Sequence, residues 1–248
     1  MVHFLEKRGL VNDRRWMVVD NYKRFISQRT NPEMALLKPE IVDRTIRISA
    51  PGMEDLEMPL FPEEGRIITV EIWEDRCEAL VANKESEKWI SDYIGKKCNF
   101  VFMPNHSNRM VDQDYAFGKN QVAFSDGFPL LLISESSLND LNGRISEEIT
   151  MKRFRPNLVV RNTAPYQEDE WESIRIGDCE LNIVKACSRC VLTTVNPETG
   201  IFSGREPLKT LAKFRKLNGE VVFGQNLIPS SYGKIEVGMK IEILKLKK

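Results

Sequence analysis

The chain has 248 residues, 42% apolar and 29% charged, with 36 lysines and arginines balanced by 36 aspartates and glutamates. That length can bury one large or two modest cores, and the composition excludes general disorder and any global field favouring nucleic acid or a membrane surface. Apolar runs such as Pro129-Leu-Leu-Leu-Ile133 stay far below the length of a spanning helix, so no membrane segment is expected, and five cysteines are too few and odd for a secreted disulfide framework.

Val2 to Gly9 reads as a strand running into a turn, without the charged-then-apolar order of a secretory signal; a reduced, cytoplasmic thiol set is the expectation. Residues 15–20 and 24–29 form a hairpin across Asn21-Tyr-Lys23. Thr45-Ile-Arg-Ile-Ser49 alternates cleanly before a turn at Pro51-Gly52, and residues 67–73 and 78–82 continue the series. Short strands at this spacing argue for a barrel or sandwich. One helix interrupts, over 84–94, capped by Asn83 and closed by Gly95, with Trp89, Ile90, Tyr93 and Ile94 on its core face. Residues 98–103 return to strand. The polar stretch from Pro104 to Gly118 marks a domain boundary, giving domains 1–103 and 104–248. Its His106 reads as a solvated loop residue, as does His3.

The second half opens with strands over 121–126 and 129–133, then a helix capped by Ser134 or Ser136 and running through Leu138 and Leu141. A helical turn over 147–152 and a strand over 158–160 come next. Residues 171–177 and 179–185 form a hairpin turning at Gly177-Asp178, and it delivers Cys187 and Cys190. A helix over 206–216 is followed by Gly219, the strand 221–223, a turn-like Gly224-Gln-Asn226 and the alternating 240–246. The fold class is α+β, mainly β.

The pair in Cys187-Ser-Arg-Cys190 admits several chemistries. Structural zinc needs four ligands, and Cys77, Cys98, Cys179 and both histidines are isolated. A thioredoxin-like dithiol wants a helix after its first cysteine, whereas strand-like residues run on past Cys190. Inert buried thiols are the plain alternative. Other clusters shift the balance: Arg153-Phe-Arg-Pro-Asn157 offers fork-like donors beside a stiff turn, Asp13-Arg-Arg-Trp16 offers more, and Gly224-Gln-Asn226 exposes amides. Lys185 and Arg189 flank the thiols and lower their pKa if close. A thiol with cationic and amide clusters suits a phosphorylated cofactor bearing a soft metal.

At these residues the chain resembles the MOSC family, which includes the C-terminal domain of molybdenum cofactor sulfurases and the mitochondrial amidoxime-reducing components. The resemblance rests on Cys187-Ser-Arg-Cys-Val-Leu-Thr-Thr-Val-Asn-Pro-Glu-Thr-Gly200, residues 153–157, Phe223-Gly-Gln-Asn226 and the Glu206-Pro-Leu-Lys-Thr-Leu211 helix. Gly9-Leu-Val-Asn-Asp-Arg-Arg-Trp16 and Gln28-Arg-Thr-Asn-Pro32 resemble the β-barrel N-terminal domain that accompanies it. The resemblance implies a β-barrel MOSC domain preceded by a smaller β-rich domain. It implies a molybdenum cofactor with Cys190 as thiolate ligand and Ser188 and Arg189 beside it. Arg155, Asn157 and Arg14 would hold the pterin or its phosphate, Asn226 would close the pocket, and Asp126 would face the metal and relay protons. Cys187 would be a neighbour of the metal.

The implied activity is removal of oxygen from N-hydroxylated small molecules such as amidoximes or hydroxylaminopurines. Electrons would come from a separate donor protein, ferredoxin-like or a flavin reductase, since no ferredoxin-type cysteine set is present. The rival readings are a cofactor or sulfur carrier working through a cysteine persulfide, and a non-catalytic binding barrel. No pyridoxal-phosphate domain is visible. Family members usually begin with a strand ending in a Lys-Ser pair that grips the cofactor phosphate; here Val2 to Arg8 reads as the second strand in mid-course. The expectation is therefore an internal start within a longer gene product, or, if the chain is complete as given, an unpaired sheet edge.

Overall fold

A computed structural model describes residues 2–247. Strands dominate, with three α-helices among the described residues, and none of the helices is long and apolar enough to cross a membrane. The chain divides into two compact units, and the division is not a single cut. One unit holds Arg14–Arg109 with Val195–Phe202; the other holds the residues up to Asp13, Met110–Thr194 and the stretch from Ser203 onward. The domain ranges expected from the polar loop, 1–103 and 104–248, differ from this in a physically simple way. Val2–Glu6 pairs antiparallel with Gly233–Glu236 on one side and with Gly9–Leu10 on the other, so it is a middle strand of a three-stranded sheet in the C-terminal unit.

In the unit built around Arg14–Arg109, a five-stranded antiparallel sheet runs in the order Phe25–Ile26, Trp16–Asp20, Cys98–Phe102, Asp75–Val81, Ile67–Ile72. A three-stranded sheet, Lys38–Val42, Thr45–Ser49 and Leu56–Pro59, lies in the same unit. Alternation explains its middle strand: Ile46 and Ile48 are buried, while Arg47 points out and meets Glu57 at 2.7 Å. The helix Lys84–Ile94 begins where Asn83 Oδ1 accepts the Ser86 amide at 2.9 Å, and ends at Gly95 with φ 74°. Its Ile90 is fully buried against a core that includes Val18, Met58 and Phe100, with Trp89, Tyr93 and Ile94 packed at the margin. Burying Ile90 is worth about 1.5–3 kcal/mol, enough to fix the helix on the sheet.

The other unit is organised by two ten-residue strands, Cys179–Ser188 and Glu220–Pro229, lying antiparallel. The sheet order is Leu158–Val160, Leu130–Ser134, Glu220–Pro229, Cys179–Ser188, Trp171–Ile176, Ile241–Leu246, with only the first pair parallel. Leu130, Leu132, Trp171, Ile174, Leu181 and Leu227 form the core beneath it. The helix Glu135–Asn142 is capped by Ser134, which accepts the Ser137 amide at 3.0 Å.

Several expectations for this unit are corrected. Residues 121–126 are not a strand; among the described residues Gln121 makes one isolated pairing with Met110, and no ladder continues from it. Gly224-Gln-Asn226 is not a turn but lies within the Glu220–Pro229 strand. Gly224 has φ 78°, and a Cβ there would stand 2.5 Å from Ile133 Cγ1 and 2.7 Å from the Leu132 carbonyl oxygen. The helix is shorter than expected, Leu208–Phe214, and Gly219 does not close it. Asn218 and Gly219, both at positive φ, turn the hairpin between Lys216–Leu217 and Glu220–Pro229 instead. Past Cys190 the chain forms a 3-10 turn, Val191–Thr194, rather than continuing as strand.

Candidate functional site

The strand Cys179–Ser188 starts with strict alternation, Cys179, Leu181 and Ile183 facing the core. Its register against Glu220–Pro229 then shifts twice, between Ile183 and Lys185 and between Ala186 and Ser188. These bulges break the alternation and re-aim the strand end, so that Cys187 is half-buried against a second core of Leu131, Ile133, Phe154 and Phe223. Ser188 is exposed and pairs through its backbone with Val222. The Arg189 amide donates to the Val221 carbonyl at 2.8 Å, and there the ladder ends.

Threonines shape the turn after the ladder. Thr193 donates both its amide, at 3.2 Å, and its hydroxyl, at 3.0 Å, to the Cys190 carbonyl, while the Thr194 hydroxyl donates to Val191 O at 2.8 Å. These local bonds favour a helical turn over a ladder. Cys190 therefore stands exposed, as a reduced thiol, at the start of that turn.

Arg189 lies between the cysteines in sequence and is fixed in space. Its Nε donates to Phe223 O at 2.8 Å and its Nη1 to Phe154 O at 3.3 Å, with the guanidinium carbon 5.4 Å from the Phe154 ring centroid. Its Nη2 is buried and has no hydrogen-bond partner among the described residues. Burial pushes its pKa down, opposed by Cys187, Cys190 and Asp126. An unpaired buried N–H on a cation is costly, which makes this atom a point where an anionic group is favoured.

Burial likewise pushes the Cys187 thiol up; Arg189 pulls it down, Asp126 and Cys190 add to the rise, and a hydrogen bond with Asn226 opposes it. The lowered thiol expected from Lys185 and Arg189 is thus not found at Cys187. Lys185 Nζ sits 4.8 Å from the Tyr115 ring centroid instead, and the Arg189 charge is outweighed by burial.

Cys187, Arg189, Cys190, Asp126 and Asn226 therefore form one cluster. Asp126 reaches it from the loop ending the 121–126 segment, exposed to solvent. Asn226 arrives from the strand Glu220–Pro229, whose backbone there pairs with Leu131 and Lys185.

Asn157 is committed elsewhere. It accepts the Leu131 amide on Oδ1 at 3.0 Å, returns its own amide to Leu131 O at 2.9 Å and donates Nδ2 to Asp13 at 2.7 Å. Arg155 is exposed with φ 55°. Arg14 belongs to the other unit, half-buried at φ 50°, and its neighbour Arg15 is buried, with its guanidinium on Met103 O and on Asn105 Oδ1 at 2.9 Å.

Two supports were not legible as such. Arg153 Nη1 reaches Thr193 O at 3.4 Å, tying the Met151–Arg153 turn to the one after Cys190, and burial lowers its pKa. Gln225, 1% exposed, donates to Asp169 at 2.7 Å, and Asp169 pairs with Arg215 at 2.6 Å. This network anchors the strand next to Asn226. From the sequence Gln225 is expected to expose its amide in a turn, whereas it is buried within the strand. Among the described residues no three of His, Cys, Asp and Glu gather as a metal-ligand set.

This β-rich unit, with a bulged strand presenting a cysteine pair over a fixed arginine, is matched over residues 119–242 by the MOSC domain model, and residues 2–97 are matched by that of the MOSC N-terminal beta barrel domain. The chain belongs to the MOSC domain family. Its relatives include the mitochondrial amidoxime-reducing component 1 of Mus musculus, 34% identical over 95% of this chain and 73% of that protein. The protein of that name from Homo sapiens is 33% identical, over 96% of this chain and 74% of its own. Mitochondrial amidoxime reducing component 2 of Rattus norvegicus is 32% identical, over 93% and 72% respectively.

Proposed function

We propose that this chain is a molybdenum-cofactor-dependent reductase of N-hydroxylated small molecules, amidoximes and hydroxylaminopurines among them. The observation that carries the reading is the pairing of an exposed thiol, Cys190, with a buried guanidinium edge, Arg189 Nη2, that no group among the described residues satisfies. The activity in the relatives' names, amidoxime reduction, supports the substrate class. The donor set fits the cofactor: a soft thiolate suits molybdenum, and a fixed N–H edge suits the anionic pterin-phosphate part.

In this reading Cys190 is the protein's metal ligand, and the remaining ligands come with the cofactor. The bound group supplies oxygen-atom removal, and two electrons arrive from a separate donor protein. The chain's own residues do the rest. Arg189, held by two main-chain oxygens, cannot turn away from the anion it faces. Ser188 and Arg155, both exposed, provide further donors for the phosphate. Asn157 acts by holding the Leu130–Ser134 strand, and Asn226 by fixing Cys187. The Asp126 carboxylate, open to solvent, passes protons to the departing oxygen, which leaves as water.

The test is metal and pterin analysis of the full chain purified from a cofactor-competent host, followed by amidoxime reduction with an artificial donor. Molybdenum near one per chain, abolished in Cys190→Ser, is the expected result. Absence of both metal and pterin sinks the reading, and a cyanide-labile sulfur without molybdenum would favour the carrier reading.

A further inference from the structure

We propose a small-molecule site in the unit built around Arg14–Arg109: a cleft that binds a planar aromatic ring carrying a carboxylate or phosphate. The five-stranded sheet of that unit has Phe25–Ile26 at one edge and Ile67–Ile72 at the other. The two edges touch at one point, where Arg24 pairs in parallel with Glu71 and the Glu71 amide donates to Lys23 O at 2.9 Å. Phe25–Ile26 is only two residues long and then turns, the amides of Thr30 and Asn31 both donating to Ser27 O. Among the described residues no ladder therefore closes the seam beyond that point. A cavity of about 420 Å³ lies there, within the roughly 300–1,000 Å³ of small-molecule clefts.

An aromatic surface lines this cleft. Trp73 and Glu74 are the two turn residues between Ile72 and Asp75, which pair across the hairpin. Trp73 sits at φ 56°, a left-handed conformation that glycine or asparagine adopts readily and a bulky residue resists. Core burial does not offset that strain, since Trp73 is 48% exposed. Its indole lines the cavity with Phe25, the two rings edge-to-face at a centroid distance of 4.8 Å, and the Arg29 guanidinium carbon stands 4.6 Å from the indole centroid. The strained turn thus presents an aromatic face to a cleft instead of a core. Charge then selects the ligand. Of the carboxylates lining the cleft, Asp20 accepts the Tyr22 and Arg24 amides on Oδ1 at 2.8 and 3.0 Å, with Oδ2 3.5 Å from Arg24 Nε, and Glu71 faces Arg76 at 3.5 Å. Lys96, also in the lining, pairs with no carboxylate among the described residues. Its ammonium donates to the neutral Asn31 Oδ1 at 2.8 Å and keeps two N–H groups for a ligand. A ring against Phe25 and Trp73 with its anionic group on Lys96 satisfies both features.

The full chain is titrated, by ligand-observed NMR, with indole-3-acetate and phenyl phosphate, and in parallel with indole, tryptamine and inorganic phosphate. At least one of the two aromatic anions should bind with a Kd below about 1 mM, and the tighter of them tells carboxylate from phosphate. Indole, tryptamine and inorganic phosphate, each lacking the ring or the anion, should bind at least about tenfold more weakly. Trp73→Gly should abolish binding while melting no lower than wild type, because glycine relieves the left-handed strain. Lys96→Met, at an exposed position that leaves the fold intact, should weaken the anions about tenfold and leave indole unchanged. The proposal is overturned if neither aromatic anion binds, if tryptamine binds as tightly as indole-3-acetate, or if binding survives Trp73→Gly and so lies elsewhere. A Trp73→Gly protein that melts well below wild type would make the indole a structural part and overturn it equally. Molybdenum content plays no part in these readouts, so the cleft and the proposed function stand or fall separately.

Discussion

Arg189 is the residue on which the site's geometry turns. Replacing it with Met leaves two buried main-chain oxygens, of Phe154 and Phe223, without their donor, and each costs about 1–3 kcal/mol. We expect Arg189→Met to lower stability in urea by about 2–4 kcal/mol, and Arg189→Lys by less, since one amine reaches one oxygen. Cys190→Ser removes an exposed thiol, so its stability should stay within about 0.5 kcal/mol of wild type while bound molybdenum is lost. That contrast, read by urea melts and elemental analysis on the same samples, separates a ligand from a scaffold residue. Asp140 gives a pH signature. Arg144 and then Tyr166 hold its carboxyl below its ordinary value of 3.8, so it contributes stability above that value, lost as pH falls through the depressed one. In Asp140→Asn the acid limb of the stability curve below about pH 4 should flatten; an unchanged limb would contradict the pairing.

At the scale of elements, what the sequence made legible was periodicity and capping. Asn83 and Gly95 bracket the Lys84–Ile94 helix as expected, and Ser134 caps the next one. Asn83→Ala should cost about 1 kcal/mol, and Asn83→Gly a few tenths, in thermal or urea melts. Hidden from the sequence were features set by contacts across the fold. Gly224 looked like a turn because glycine permits positive φ; only the approach of Leu132 and Ile133 shows that the strand runs on through it. The bulges that aim Cys187 have no local signature, because register is decided by the partner strand. The turn after Cys190 was hidden because Val-Leu-Thr-Thr reads as β-branched strand, whereas the threonine hydroxyls bond back to their own chain. Gly224→Ala forces a Cβ into backbone at a positive φ, so we expect a loss above about 2 kcal/mol and altered alkylation of Cys187, whose partner Asn226 lies two residues on.

At the scale of the whole molecule, the chain leaves the Arg14–Arg109 unit and returns to it for Val195–Phe202 before finishing in the other. The base of that excursion is closed where the Ser203 amide donates at 2.9 Å to the carbonyl of Thr194, itself one of the two threonines that shape the turn after Cys190. A fragment of residues 104–248 lacks Val2–Glu6, the partner of Gly233–Glu236. We expect it to unfold without cooperativity, and addition of a peptide spanning residues 2–13 to sharpen the transition; a fragment that melts sharply alone would show the strand to be dispensable. The same pairing joins Val2 to Glu236, so a strand begun at Val2 must wait for a partner completed only at Glu236. At ribosomal speeds of about 5–20 residues per second that wait is roughly ten to fifty seconds. During that interval Val2–Glu6 lacks its far partner, and the exposed side chains of Val2 and Phe4 lie on an edge open to other nascent chains. We expect the yield of folded protein to follow this delay, so chaperone protection of Val2–Glu6 should matter more than protection of the site.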